Sequence, residues 1–168
     1  DTTAVSQLGA NTAMRNDGSP NTNRLSVEPD FVHPKLETVA NDASVDYWYK
    51  NVARTNTYDV IFEIPPYDSY GLMPQWQSDD LADVSRGSGV CFVNLDLDIG
   101  GEWHHHAWSI EGKKLFFWVD GQLRAANTTL SHSGLKWNGT TRITMLGATH
   151  NGGYASNAYM DDFRICHG

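Results

Sequence analysis

The sequence predicts an all-β fold, an antiparallel β-sandwich, and three observations predict it. Short runs rich in β-branched and aromatic residues recur along the chain, set apart by Gly, Asn and Pro turn signals. Residues 103–123 read as two hairpins run together, with Asp120-Gly121 supplying the turn of the second. Asp-Gly between such runs is a strong hairpin signal, because Gly tolerates the positive φ of a type I′ turn. The successive Phe116, Phe117 and Trp118 leave neither face of their strand polar. A strand of that kind is covered on both sides, as in a sandwich.

The elements follow in order. Residues 1–24 are rich in Asn, Thr, Ser, Gly and Asp without periodicity, and predict an extended or flexible N-terminal arm. Residues 25–35 carry two prolines and predict a short edge strand. Residues 44–52 read as a strand with aromatics on both faces, and 59–64 (D-V-I-F-E-I) as a clearer one. Pro65-Pro66 ends it, because proline cannot donate to a ladder. Residues 66–89 predict a long loop, and long loops in compact domains are often functional. A strand follows at 89–97, broken by Gly100-Gly101. The double hairpin then gives strands at 103–110, 115–119 and 122–126. Residues 127–140 predict a polar connection, and 141–146 and 158–166 the closing strands. No segment predicts a helix longer than a turn or two.

Two motifs carry a family resemblance. The run W-H-H-x-A at 103–107, a Gly turn and an aromatic strand ending V-D-G at 119–121 resembles the laminin G-like branch of the concanavalin A-like lectin/glucanase superfamily. I-T-M-L-G at 143–147 and Y-M-D-D-F-R-I at 159–165 resemble that family's closing strands. The matches cover about the last 65 residues well, 44–94 loosely and 1–40 not at all. The resemblance implies a jelly-roll sandwich over residues 25–168, and it carries little about the ligand.

Composition excludes several classes. At 168 residues the chain fits one domain, and its 40% hydrophobic content can fill a core. A net charge of −8 lacks the basic footprint of a nucleic-acid binder and disfavours anionic membranes. No apolar run reaches the ~18 residues of a membrane-inserting span. The chain starts at Asp1, which reads as a mature or excised segment. Low charge and abundant Asn, Thr, Ser and Gly suit an extracellular protein: secreted, on a cell surface or on a virion. Cys91 and Cys166 either pair, closing a loop of ~75 residues worth roughly 4 kcal/mol, or are two buried thiols.

Four constellations are candidates for chemistry. His104 and His106 share a strand face, with Glu102 near, so a metal site is geometrically possible. The family pattern instead has a histidine here without metal. The run Asp96-Leu-Asp-Ile-Gly-Gly-Glu102 resembles a glucanase strand motif. Its first acid is Asp rather than Glu and its last comes too late, which spoils the carboxylate separation a retaining glycosidase needs. Asp96 and Asp98 are instead calcium candidates, since laminin G-like domains often hold calcium at the sandwich rim. Asp161-Asp162 predicts a structural pairing with Arg164 or a turn anchor.

A glycan site needs exposed aromatics to stack on sugar rings and polar groups to fix hydroxyls. The candidates are Tyr67, Tyr70 and Trp76 in the long loop, Trp137, and Asn151 and Tyr154 around Gly152-Gly153. Trp48, Trp103, Trp108 and Trp118 are expected to be at least partly buried. The sequence therefore predicts a non-catalytic extracellular recognition or adhesion module that binds carbohydrate on a glycan or glycoprotein surface. The alternatives are a structural subunit of a filament, appendage or virion, self-associating through the N-terminal arm, and a glycoside hydrolase, which the acid spacing argues against.

Overall fold

The computed structural model describes residues 14–17, 25–27, 34–53, 58–65, 70–77, 80–83, 91–94, 101–146 and 156–168. Their strands are β1 (Met14–Asp17), β2 (Leu25–Val27), β3 (Asp42–Ala53), β4 (Tyr58–Val60), β5 (Phe62–Glu63), β6 (Pro74–Gln77) and β7 (Asp80–Asp83). β8 (Cys91–Asn94), β9 (His104–Glu111), β10 (Lys114–Val119), β11 (Gln122–Asn127), β12 (Ile143–Met145) and β13 (Asn157–His167) complete them. One 3-10 turn, Pro34–Glu37, precedes β3. A six-stranded antiparallel sheet has the order β1-β13-β3-β9-β10-β11. Two smaller sheets, β2-β12-β5 and β4-β6-β7-β8, make the rest.

Burial follows the two-residue period of a strand. On β3, residues 43, 45, 47, 49 and 51 point into the core and 44, 46, 48, 50 and 52 point out. Inward Val45, Tyr47, Trp108, Phe117 and Phe163 share one core with Ile61, Phe62, Trp76, Ile143 and Met145 of the smaller sheets. The fold is thus a sandwich, as the sequence predicts.

The double hairpin forms where expected. Asp120 and Gly121 both have positive φ, 49° and 75°, which a type I′ turn requires. In the preceding turn Gly112 takes φ 57°. The expected 59–64 strand is divided at Ile61. Its N–H donates to Pro74 O, while its carbonyl accepts from Leu146 N, so the chain leaves one small sheet and enters the other there. Residues 66–89, predicted as loop, contain β6 and β7. Pro74 begins β6, a position where its missing N–H costs nothing. Part of the predicted arm, Met14–Asp17, pairs with β13 as an edge strand.

β13 contains a bulge that decides which side chains face the core. Asp161 pairs with Trp48 and Arg164 with Asp46, so two residues on β13 oppose one on β3. Ala158 and Met160 are buried before it; Phe163, Ile165 and His167 are buried after it. The added residue inverts the alternation and keeps Arg164 outside. Asp162 takes φ 52°, a conformation Asp tolerates, and its N–H donates to Asp161 Oδ1 at 2.8 Å.

Candidate functional site

The outward rows of the six-stranded sheet follow from its register. In one row Tyr159 of β13 lies opposite Lys50 of β3. The next is Asp161, Trp48 and His105; then come Arg164, Asp46, Ala107, Trp118 and Leu123; then Cys166, Ser44, Ser109, Phe116 and Ala126. Trp48 is 41% exposed although it sits mid-strand in a central strand. Its ring lies 5.4 Å from that of His105, tilted by 59°. Trp103, just before β9, is 38% exposed, with its ring 6.1 Å from Tyr159. Trp118 is half-buried and donates from Nε1 to Ser109 Oγ at 3.2 Å.

At one end of the face an open groove of about 370 Å³ is lined by Asp42, Ser44, Ser109, Glu111 and Cys166 among others. The groove lies toward the Asp42 end of β3, several residues along the strand from Trp48. Asp46 is the electrostatic centre of the face. Its Oδ1 accepts from Arg164 Nε at 3.0 Å and Nη2 at 2.6 Å, and His105 Nε2 lies 3.3 Å away. Asp162 Oδ2 is 3.6 Å from Arg164 Nη2, so the predicted Asp162–Arg164 pairing is present but secondary. The hydrogen bond to Asp46 holds the Arg164 guanidinium above its already high pKa.

The three consecutive histidines have three different environments. His104 Nδ1 donates to Asp120 Oδ2 at 2.7 Å, and Asp120 Oδ1 accepts from His105 N at 2.9 Å. Burial pushes the Asp120 carboxyl up, but these bonds outweigh it and hold the group below its usual value. His105 is on the outer face. His106 is fully buried, with ring centroids of Tyr47, Tyr49 and Phe117 at 5.4, 5.3 and 5.3 Å. Neither of its ring nitrogens has a hydrogen-bond partner. Burial pushes its pKa down to about 3, so the ring is neutral. Among the described residues no group of three His, Cys, Asp or Glu could hold a metal ion.

The predicted loop site is only partly within view. Tyr67, Asn151 and Tyr154, and the calcium candidates Asp96 and Asp98, lie outside the described residues. Tyr70 is half-buried, its ring 5.0 Å from that of His132. Trp76 and Trp137 are not the exposed residues that the polar sequence around them predicts. Each is 1% exposed. Trp76 is on β6 facing the core, and Trp137 is tied by N–H to Leu36 O at 2.7 Å and by Nε1 to Thr141 O at 2.6 Å. Polar neighbours do not by themselves mark exposure: Gln75, beside Trp76, is itself buried at 7%. Trp108 and Trp118 are buried or half-buried as expected. Trp48 and Trp103 are the open ones, and the alternation of β3, with buried Tyr47 and Tyr49 on either side of Trp48, is the signal that places Trp48 outside. Cys166 is a free, half-buried thiol on β13, while Cys91 is on β8 of a smaller sheet.

A laminin G family model, described as the concanavalin A-like lectin/glucanases superfamily, matches residues 25–168. The chain belongs to that superfamily. Three solved structures illustrate the shared fold. Domains LG4-5 of the mouse laminin alpha1 chain are 16% identical, with TM-score 0.67, over 95% of this chain and 44% of that one. This chain thus spans less than half of that laminin fragment. Domain 4 of AbnA, a GH43 extracellular arabinanase from Geobacillus stearothermophilus in complex with arabinotriose, is 14% identical, with TM-score 0.63, over 100% and 76%. The CBM40 of Ruminococcus gnavus IT-sialidase, bound to alpha2,3 sialyllactose, is 9% identical, with TM-score 0.71, over 97% and 91%. No curated protein matches the chain.

Proposed function

We propose that this superfamily member is a non-catalytic carbohydrate-binding module, acting outside the cell on glycan or glycoprotein surfaces, and that its site is the outer face of the six-stranded sheet. The observation that carries this is Trp48, an indole left open in the middle of a central strand beside His105, Asp46 and Arg164. The apolar face of a sugar stacks on such a ring while the polar neighbours take hydroxyls. The complexes of the arabinanase domain with arabinotriose and of the sialidase module with sialyllactose support the reading. A role in adhesion follows if the bound glycan belongs to a cell surface. The loop residues Tyr67, Asn151 and Tyr154 remain a second candidate region. A soluble oligosaccharide panel tested by calorimetry decides the matter: at least one neutral or acidic glycan should bind with a stoichiometry near one, and no binding across the panel would overturn the proposal.

A further inference from the structure

We infer that Trp103 and Tyr159 form a second sugar platform beside Trp48, so that the outer face of the six-stranded sheet takes an oligosaccharide chain rather than a single sugar. This rests on the glycan reading above and specifies the length and course of its ligand. Outward side chains alternate along β3, so Asp46, Trp48 and Lys50 succeed one another in one line. Tyr159 of β13 pairs with Lys50 on one side. Trp103 comes one residue before β9, whose His104 and His105 pair with Tyr49 and Trp48, so it is level with Lys50 on the other side. Strands two apart in a sheet are ~10 Å from each other. The Trp103 and Tyr159 rings nonetheless come within 6.1 Å, so they lean together across β3.

Trp103 and Tyr159 each stand diagonally from Trp48 on a flanking strand, a relation that sets Cα atoms about 7–8 Å apart. A single sugar ring is narrower than that. One unit stacked on Trp48 therefore leaves the Trp103–Tyr159 pair for the next unit of the same chain, which runs along β3. A site for one terminal sugar would need only Trp48. Charged groups alternate with the rings: Asp46, bonded to Arg164, lies on one side of Trp48, and Lys50 lies between the paired rings on the other. Each unit thus has an aromatic surface and a charged neighbour for its hydroxyls, the combination that fixes a ligand's orientation.

The test is calorimetry with two probe series, arabinose, arabinobiose and arabinotriose, and galactose, lactose and alpha2,3 sialyllactose. Their longest members are the ligands of the arabinanase domain and the sialidase module. In a series that binds, affinity should rise by about tenfold or more from one unit to three, the gain of a second aromatic anchor. Trp103→Ala and Tyr159→Ala, each checked for folding by a thermal melt, should weaken the trisaccharide by about fivefold or more and leave the monosaccharide within about twofold. A monosaccharide that binds as tightly as its trisaccharide, with neither variant weakening the trisaccharide, would overturn the second platform and leave the glycan reading standing. Absence of binding to every probe would remove the glycan reading and this inference together.

Discussion

Replacing His106 with phenylalanine should make the fold less sensitive to acid. The parent ring is enclosed by Tyr47, Tyr49 and Phe117, with no hydrogen-bond partner to either nitrogen. Burial pushes its pKa down to about 3 from 6.5, with charges on His104 and His105 adding in the same direction and Asp120 opposing. The unfolded chain therefore binds the proton first. Stability is full above pH 6.5 and falls as pH drops through the window from 6.5 to 3. The slope is about 1.4 kcal/mol per pH unit, so moving from neutral pH to about pH 5 costs about 2 kcal/mol. Urea unfolding of parent and His106→Phe near pH 7.5 and pH 5 measures it. The other histidines are common to both proteins and cancel in the difference. The parent should lose about 2 kcal/mol more than the variant. Equal losses would show that the folded ring takes up its proton at an ordinary pH, and the account of its burial would be refuted.

Other outcomes follow from packing and backbone geometry. Trp76→Ala and Trp137→Ala should each lower unfolding free energy by about 3–5 kcal/mol, read by chemical denaturation, because both indoles are core. Gly134→Ala should destabilise by about 2 kcal/mol or more: φ is 76° there, and a Cβ would collide with the Ala40 carbonyl in the bridge that joins Ala40 to Leu135. If calcium binds through Asp96 and Asp98, excess calcium at about a hundredfold over its dissociation constant should stabilise by about 2.7 kcal/mol. A calorimetric melt with calcium and with EDTA measures that, and identical melts remove calcium from the account.

The fold was legible where local chemistry and periodicity agree. Asp120-Gly121 demanded a positive-φ turn and received one, and the β-branched and aromatic residues of 44–52 marked most of β3. The division at Ile61 was not legible, because it depends on Leu146, 85 residues on, donating to the Ile61 carbonyl while the Ile61 N–H still bonds Pro74. Strands β6 and β7 were hidden in Gln, Ser and Asp, residues whose preferences do not announce a ladder. The site was misread for a related reason. Polar sequence around Trp76 and Trp137 does not report exposure, because polar groups can be buried when bonded: Gln75 is buried, and Trp137 is held by the carbonyls of Leu36 and Thr141. Trp48 sits between Tyr47 and Tyr49, which masks the fact that its own position faces outward. His106 was separable from His104 by its environment only once Asp120 was seen to take His104.

The most direct test of the central claim compares Trp48→Ala with Tyr70→Ala, using calorimetry against whichever glycan the parent binds. Removing the Trp48 ring should weaken binding by about thirtyfold, the effect of an aromatic anchor worth about 2 kcal/mol. Its unfolding midpoint should fall by less than that of Trp76→Ala, because Trp48 is 41% exposed and Trp76 is core. Tyr70→Ala should bind as the parent does. Undiminished binding by Trp48→Ala, with loss in Tyr70→Ala, would contradict the account and move the site from the sheet face to the loops.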